Sequence, residues 1–112
     1  GCPKGHFRGQ HAVIVEVGIY SGGSLRMWRH YFGSNATIIG VDLSNRTLIY
    51  EHDAAYGSPD RIFVGDQGSA AFWSEFKRHV PRVDVLMDDG GHMPAMQQAT
   101  TAVQFHGAWW CQ

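Results

Sequence analysis

The chain has 112 residues, of which 9 are Lys or Arg and 10 are Asp or Glu, leaving a formal net charge of −1. With 44% hydrophobic residues it can build one core, and it is too short for two ordinary domains. Its scattered basic residues make no stripe for a nucleic acid, and it has no apolar run long enough to span a membrane.

The first ten residues read as an N-terminal loop, and residues 11–112 as one domain. His11 to Gly18, HAVIVEVG, is a β-branched run ending in glycine and predicts a buried strand. Leu25, Trp28 and Phe32 then share one helical face within Ser24 to Phe32, with Ser24 placed to cap it. Arg26, Arg29 and His30 read as the solvated face of that helix. Ala36 to Asp42 predicts a second strand. Ser44 to Tyr56 has helical residues without a clean stripe, stopped by Gly57-Ser58-Pro59. Arg61 to Gly65 predicts a third strand, and Ala70 to Val80 a helix with Phe72, Phe76 and Val80 on one face. Val83 to Met87 predicts a fourth strand, and Pro94 to Phe105 a fourth helix that Gly107 would stop. Apolar strands alternating with helices predict an α/β fold, a Rossmann-like, doubly wound parallel sheet. The two cysteines, Cys2 and Cys111, stand at opposite ends and suggest neither a disulfide framework nor a metal pair.

In such sheets ligands bind outside the carboxyl ends of the strands. Each predicted strand ends there in a suggestive group: Glu16-Val17-Gly18 leading to Ser21-Gly22-Gly23-Ser24, then Asp42, then Gly65-Asp66-Gln67, then Asp88-Asp89-Gly90-Gly91-His92. Gly18, Gly22 and Gly23 permit a tight turn and close approach to a ligand, although ordinary loop punctuation also favours glycine. Their spacing is G-x-x-x-G-G, unlike the dinucleotide G-x-G-x-x-G. Asp42 lies 24 residues after Gly18, near the ~20 expected of a ribose-binding acid, and it also fits a turn or capping aspartate. Glu16 sits inside an apolar strand and should meet a backbone N–H or a ligand, because an unpartnered buried carboxylate is costly. Asp88 and Asp89 suit either a ligand site or a solvated turn before a helix, and His92 either a base or a loop histidine.

The series E-V-G-x-x-x-G-G-S, a strand ending in Asp, G-D-Q and D-D-G-G-H resembles the class I S-adenosylmethionine-dependent methyltransferases. It is most similar to the metal-dependent O-methyltransferases of macrolide sugars and the related cephalosporin-hydroxylase-like family, whose G-x-x-S-G-G-S-L-x-M-W segment corresponds to Gly18 to Trp28. The resemblance covers roughly Val13 to Phe105. It implies that this chain carries the first four β-α units of a seven-stranded fold, truncated at the C-terminus, with the fifth strand and further acidic metal ligands beyond Gln112.

The resemblance also implies roles. Glu16, Gly18, Gly22 and Ser24 would surround the methionine part of the cofactor, Asp42 would hold the ribose hydroxyls, and Asp66 and Gln67 would lie beside the adenine. Asp88 would complete the cofactor site, Asp89 would bind a divalent cation such as Mg²⁺, and His92 would be the general base. The implied activity is O-methylation of a small hydroxylated acceptor, a sugar or natural product. With no signal peptide or membrane-spanning run and no basic stripe in the sequence, the expectation is a cytoplasmic parent chain, open to homo-oligomerisation, with no nucleic-acid or membrane partner. A nicotinamide oxidoreductase of the same architecture and a non-catalytic cofactor-binding module are the alternatives.

Overall fold

The computed structural model describes residues 2–88 and 104–111. Five strands form one parallel sheet: β1 (Val13–Val17), β2 (Thr37–Asp42), β3 (Arg61–Val64), β4 (Val85–Asp88) and β5 (Trp109–Cys111), in the spatial order β3-β2-β1-β4-β5. Among the described residues two α-helices lie between them, α1 (Gly23–Phe32) and α2 (Ala70–His79). The chain moves outward from β1 to β3 and then returns to pair β4 with β1. The order therefore reverses between β1 and β4, the place where doubly wound sheets open a crevice.

The period of two along each strand sorts the core into two layers. Ile14 of β1, Ile38 of β2 and Val85 and Met87 of β4 pack with Leu25, Trp28 and Phe32 of α1. Val15 and Val17, Ile39 and Val41, and Leu86 pack on the other face with Trp73 and Phe76 of α2, Val80 and Phe105. Trp73 and Phe32 are fully buried, and emptying either site would cost about 3–5 kcal/mol. The helix starts follow local chemistry. Ser69 caps α2, its Oγ accepting the Phe72 N–H at 3.2 Å. The expected Ser24 cap of α1 is not formed: Gly22 is the capping residue, at φ +81°, and the Ser24 hydroxyl donates to Glu16 instead, since a buried carboxylate is the stronger acceptor.

Four other expectations change. The stretch 44–56 is not one helix but two 3₁₀ segments, Asn45–Tyr50 and Ala54–Tyr56. It lacks an apolar stripe to hold a helix on the sheet, and the Ser44 and Asp53 side chains accept the Arg46 and Ala55 N–H groups, which favours turns. The N-terminal loop contains a 3₁₀ turn, Lys4–Phe7. The fifth strand, expected beyond Gln112, lies within the chain: three residues at Trp109–Cys111 pair with β4, a segment too short for periodicity to reveal. Finally, Cys2 and Cys111 are joined by a disulfide, with Cα atoms 5.4 Å apart. A separation of 109 residues hides this proximity, which exists only because β5 joins the sheet beside the N-terminal arm. The fourth predicted helix lies outside the described residues except at its end, where Gly107 adopts φ +91°, as a helix stop would.

Candidate cofactor site

A cavity of about 220 Å³ opens at the carboxyl ends of β1, β2 and β3. It is lined by Gly18, Tyr20, Val41, Asp42, Leu43, Gly65, Asp66 and Gln67. Whole small-molecule sites usually span ~300–1,000 Å³, so this cavity fits part of a ligand.

Asp42 organises its floor. As the last residue of β2, it projects beyond the sheet toward the loop that follows β1. Its Oδ2 accepts the Ile19 N–H at 3.0 Å and the Tyr20 N–H at 2.9 Å, and its Oδ1 accepts the Ser44 N–H at 2.9 Å. A carboxylate offers about four acceptor positions, so capacity remains for a ligand hydroxyl. Thus Asp42 is both the turn aspartate and a cavity residue, and the two sequence readings of it are compatible. Gly18 holds φ +81°, a conformation strained for any side chain, and its bare Cα lets backbone line the cavity. Asp66 accepts the Gly68 N–H through Oδ1 at 2.8 Å, and the Gln67 carbonyl accepts the Trp73 Nε1–H at 2.8 Å. These bonds fix the turn after β3 on the top of α2.

Glu16 and Ser24 sit one layer below. Glu16 is fully buried, on the α1 face of β1. Its Oε1 accepts from Ser24 Oγ at 2.6 Å and its Oε2 from Trp28 Nε1 at 2.7 Å. These two side chains of α1 meet the carboxylate from within. Neither Glu16, Gly22 nor Ser24 is among the cavity's lining residues. Gly22 is buried, and a Cβ there would stand 2.9 Å from both Tyr50 and Tyr56. Asp88 ends β4 buried, opposite Val17 in the β1 register.

Asp89 and His92 lie outside the described residues. Among the described residues no group of three or more His, Cys, Asp or Glu side chains could hold a metal ion. Sequence reading missed Tyr20 and Leu43 at the cavity and Trp28 as a partner of Glu16. The last was open to inference, since Ser24 and Trp28 stand at i and i+4 on one helix face. Among the described residues, no helix is long and apolar enough to cross a membrane.

A parallel sheet in this order, with a carboxylate at the end of β2 and a glycine turn after β1, defines a Rossmann-like α/β fold. In sequence the chain is a partial match to the macrolide and sugar O-methyltransferases. It is 29% identical over 106 residues to mycinamicin VI 2''-O-methyltransferase of Micromonospora griseorubida, covering 88% of this chain and 25% of that protein. It is 32% identical over 107 residues to 8-demethyl-8-(2-methoxy-alpha-L-rhamnosyl)-tetracenomycin-C 3'-O-methyltransferase of Streptomyces olivaceus, with the same coverages. The chain thus spans about a quarter of the length of these relatives. Among solved structures it is similar to the MycE methyltransferase of the mycinamycin pathway in complex with Mg and SAH, with a TM-score of 0.68 and 27% identity over 90% of this chain and 26% of that one. A short chain dehydrogenase from Mycobacterium smegmatis shares the fold alone, at a TM-score of 0.56 and 19% identity, over 89% of this chain and 51% of that one. No protein-family model matches the chain.

Proposed function

We propose that the complete protein is an S-adenosylmethionine-dependent O-methyltransferase acting on a sugar hydroxyl of a natural product, and that this chain forms its cofactor half. The observation that carries the reading is Asp42. It stands at the end of β2, grips the turn after β1, and lines a cavity together with Gly18, Asp66 and Gln67. The relatives named above are O-methyltransferases of sugar-bearing natural products, which supports the acceptor class. The G-x-x-x-G-G spacing disfavours a nicotinamide dinucleotide.

In this reading the remaining acceptor position of Asp42 takes a ribose hydroxyl. Asp66 and Gln67 flank the adenine, and Gly18 admits the cofactor against backbone. Glu16, held by Ser24 and Trp28, and Gly22 at the start of α1 would support the turn that receives the methionine part, and Asp88, buried at the end of β4, would complete the site. When bound, the cofactor would supply a sulfonium methyl group whose carbon an acceptor oxygen can attack in line, the C–S bond breaking and S-adenosylhomocysteine leaving as a neutral thioether. An alcohol is a poor nucleophile until its proton leaves, and His92 takes that proton, its unperturbed pKa of about 6.5 suiting the task. Asp89 would be a ligand of a divalent cation such as Mg²⁺, which would supply Lewis-acid activation of the acceptor hydroxyl.

Calorimetry of S-adenosylhomocysteine binding to the complete protein tests the cofactor assignment, and absence of binding would overturn it. Single-turnover rates test the chemistry. His92→Ala should slow methyl transfer by roughly 10²–10⁴-fold while leaving cofactor affinity near normal. Asp89→Ala should weaken Mg²⁺ binding in a direct metal titration. Undiminished chemistry in His92→Ala would remove it as the base.

A further inference from the structure

Tyr20 has an unusual backbone for its residue type. Its φ is +47°, in the left-handed region. Bulky side chains rarely enter it, because Cβ crowds the neighbouring carbonyl. Among the described residues two other non-glycine residues share the feature, His52 and Ser58. All three sit in turns: the His52 N–H donates to the Pro59 carbonyl, the Ser58 N–H to the Asp53 carbonyl, and Tyr20 lies within the turn that the Gly22 N–H closes on the Ile19 carbonyl at 2.8 Å. Tyr20 is in a glycine-rich stretch, where glycine would adopt the same conformation without cost.

Nor does packing in the core repay the strain. Tyr20 is 66% exposed. Its N–H is pinned to Asp42 Oδ2, which holds the residue in place whatever its side chain. The ring folds back over the preceding turn: a Cβ built on Gly18 would stand 3.3 Å from Tyr20 Cε2 and 3.5 Å from its hydroxyl oxygen. Gly18, Tyr20 and Asp42 all line the cavity. An aromatic ring is thus carried on a strained backbone to the rim of a cavity, beside the carboxylate read here as the ribose ligand.

We propose that Tyr20 is a positioning residue for the cofactor: its ring forms a wall of the cavity that packs against the bound nucleoside and shields it from water. This rests on the methyltransferase reading. It differs from a structural role in the sign of its effect on stability. A ring kept for the fold should lower stability when removed. A ring kept for the ligand, on a strained backbone, should leave the free protein as stable or more so.

The test uses the complete protein and S-adenosylhomocysteine as probe. Thermal midpoints of the ligand-free protein and calorimetric affinities are compared for wild type, Tyr20→Gly, Tyr20→Asn and Tyr20→Phe. Glycine and asparagine both accept a left-handed backbone. The expected result is an unchanged or raised midpoint for Tyr20→Gly and Tyr20→Asn, with affinity about tenfold weaker, equivalent to ~1.4 kcal/mol. Tyr20→Phe should bind within about threefold of wild type, a difference of under ~1 kcal/mol. Wild-type affinity in Tyr20→Gly and Tyr20→Asn would overturn the proposal while leaving the cofactor reading intact. A lowered midpoint in both variants would assign the ring to the fold and overturn it as well. A wild-type protein that binds no S-adenosylhomocysteine would overturn both readings.

Discussion

The Trp28 indole donates its Nε1–H to Glu16 Oε2 at 2.7 Å, inside the interface between α1 and β1. With Ser24 Oγ on the other carboxylate oxygen, the contact turns a costly buried charge into a fastener between the strand and the helix on either side of the glycine turn. The turn that borders the cavity is therefore held from below by polar bonds as well as by Leu25 and Phe32 in the core.

Trp28→Phe keeps most of the apolar bulk and removes the donor. It should destabilise the fold by roughly 1.5–3 kcal/mol, the usual worth of a hydrogen bond to a charged group. Urea unfolding of wild type and variant measures the difference. An unchanged midpoint would mean that the bond contributes nothing net.

Asp42 makes a second pair of expectations. Asp42→Ala removes the acceptor of the Ile19 and Tyr20 amides and the candidate ribose ligand together. Affinity for S-adenosylhomocysteine should fall by roughly 1–3 kcal/mol, and exchange protection of both amides should drop. Asp42→Asn retains one oxygen and should fall between wild type and alanine in both readouts. Lost protection with unchanged affinity would confine Asp42 to holding the turn.

The parallel sheet was legible because four short, mainly apolar runs close on glycine or aspartate and alternate with helical patterns. The cavity was legible because Gly18, Asp42, Asp66 and Gln67 all fall at the same ends of those strands. What escaped reading depends on long-range placement. The three residues of β5 are too few to show a period, and Trp109 is half exposed. The Cys2–Cys111 bridge needs β5 in place before the two thiols meet. Tyr20 escaped because a positive φ at a non-glycine residue follows from the turn's geometry and leaves no mark in composition.

Arg29 escaped for the same kind of reason. Its position suggested the solvated face of α1, yet its guanidinium reaches back over the end of the helix. Nε donates to the Gly57 carbonyl at 2.9 Å, Nη1 to the Gly33 and Ala36 carbonyls at 3.1 and 2.6 Å, and Nη2 to the Ser58 carbonyl and Asp60 at 3.2 and 2.9 Å. A lysine ammonium has three donors and no planar fork, so it cannot serve five acceptors. Arg29→Lys should cost about 1–3 kcal/mol in chemical unfolding. Arg26→Ala, at an exposed position of the same helix, should stay within about 0.5 kcal/mol of wild type. Equal midpoints for the two variants would refute the role given to Arg29.

The bridge between Cys2 and Cys111 closes a loop that takes in almost the whole chain. A link of that span restricts the unfolded ensemble strongly, and the loop-entropy model assigns ~4–5 kcal/mol to a closure of about 100 residues. Reduction should therefore lower the thermal midpoint of the 112-residue chain markedly. It should also release the N-terminal arm from β5, the short strand at the sheet edge, before the centre of the sheet opens. Cys2→Ser should reproduce the reduced midpoint and make the chain insensitive to reductant. Thiol titration before and after reduction, alongside thermal melts, provides the check. Two reactive thiols in the folded, unreduced chain, or identical melts with and without reductant, would show that the bridge contributes no stability.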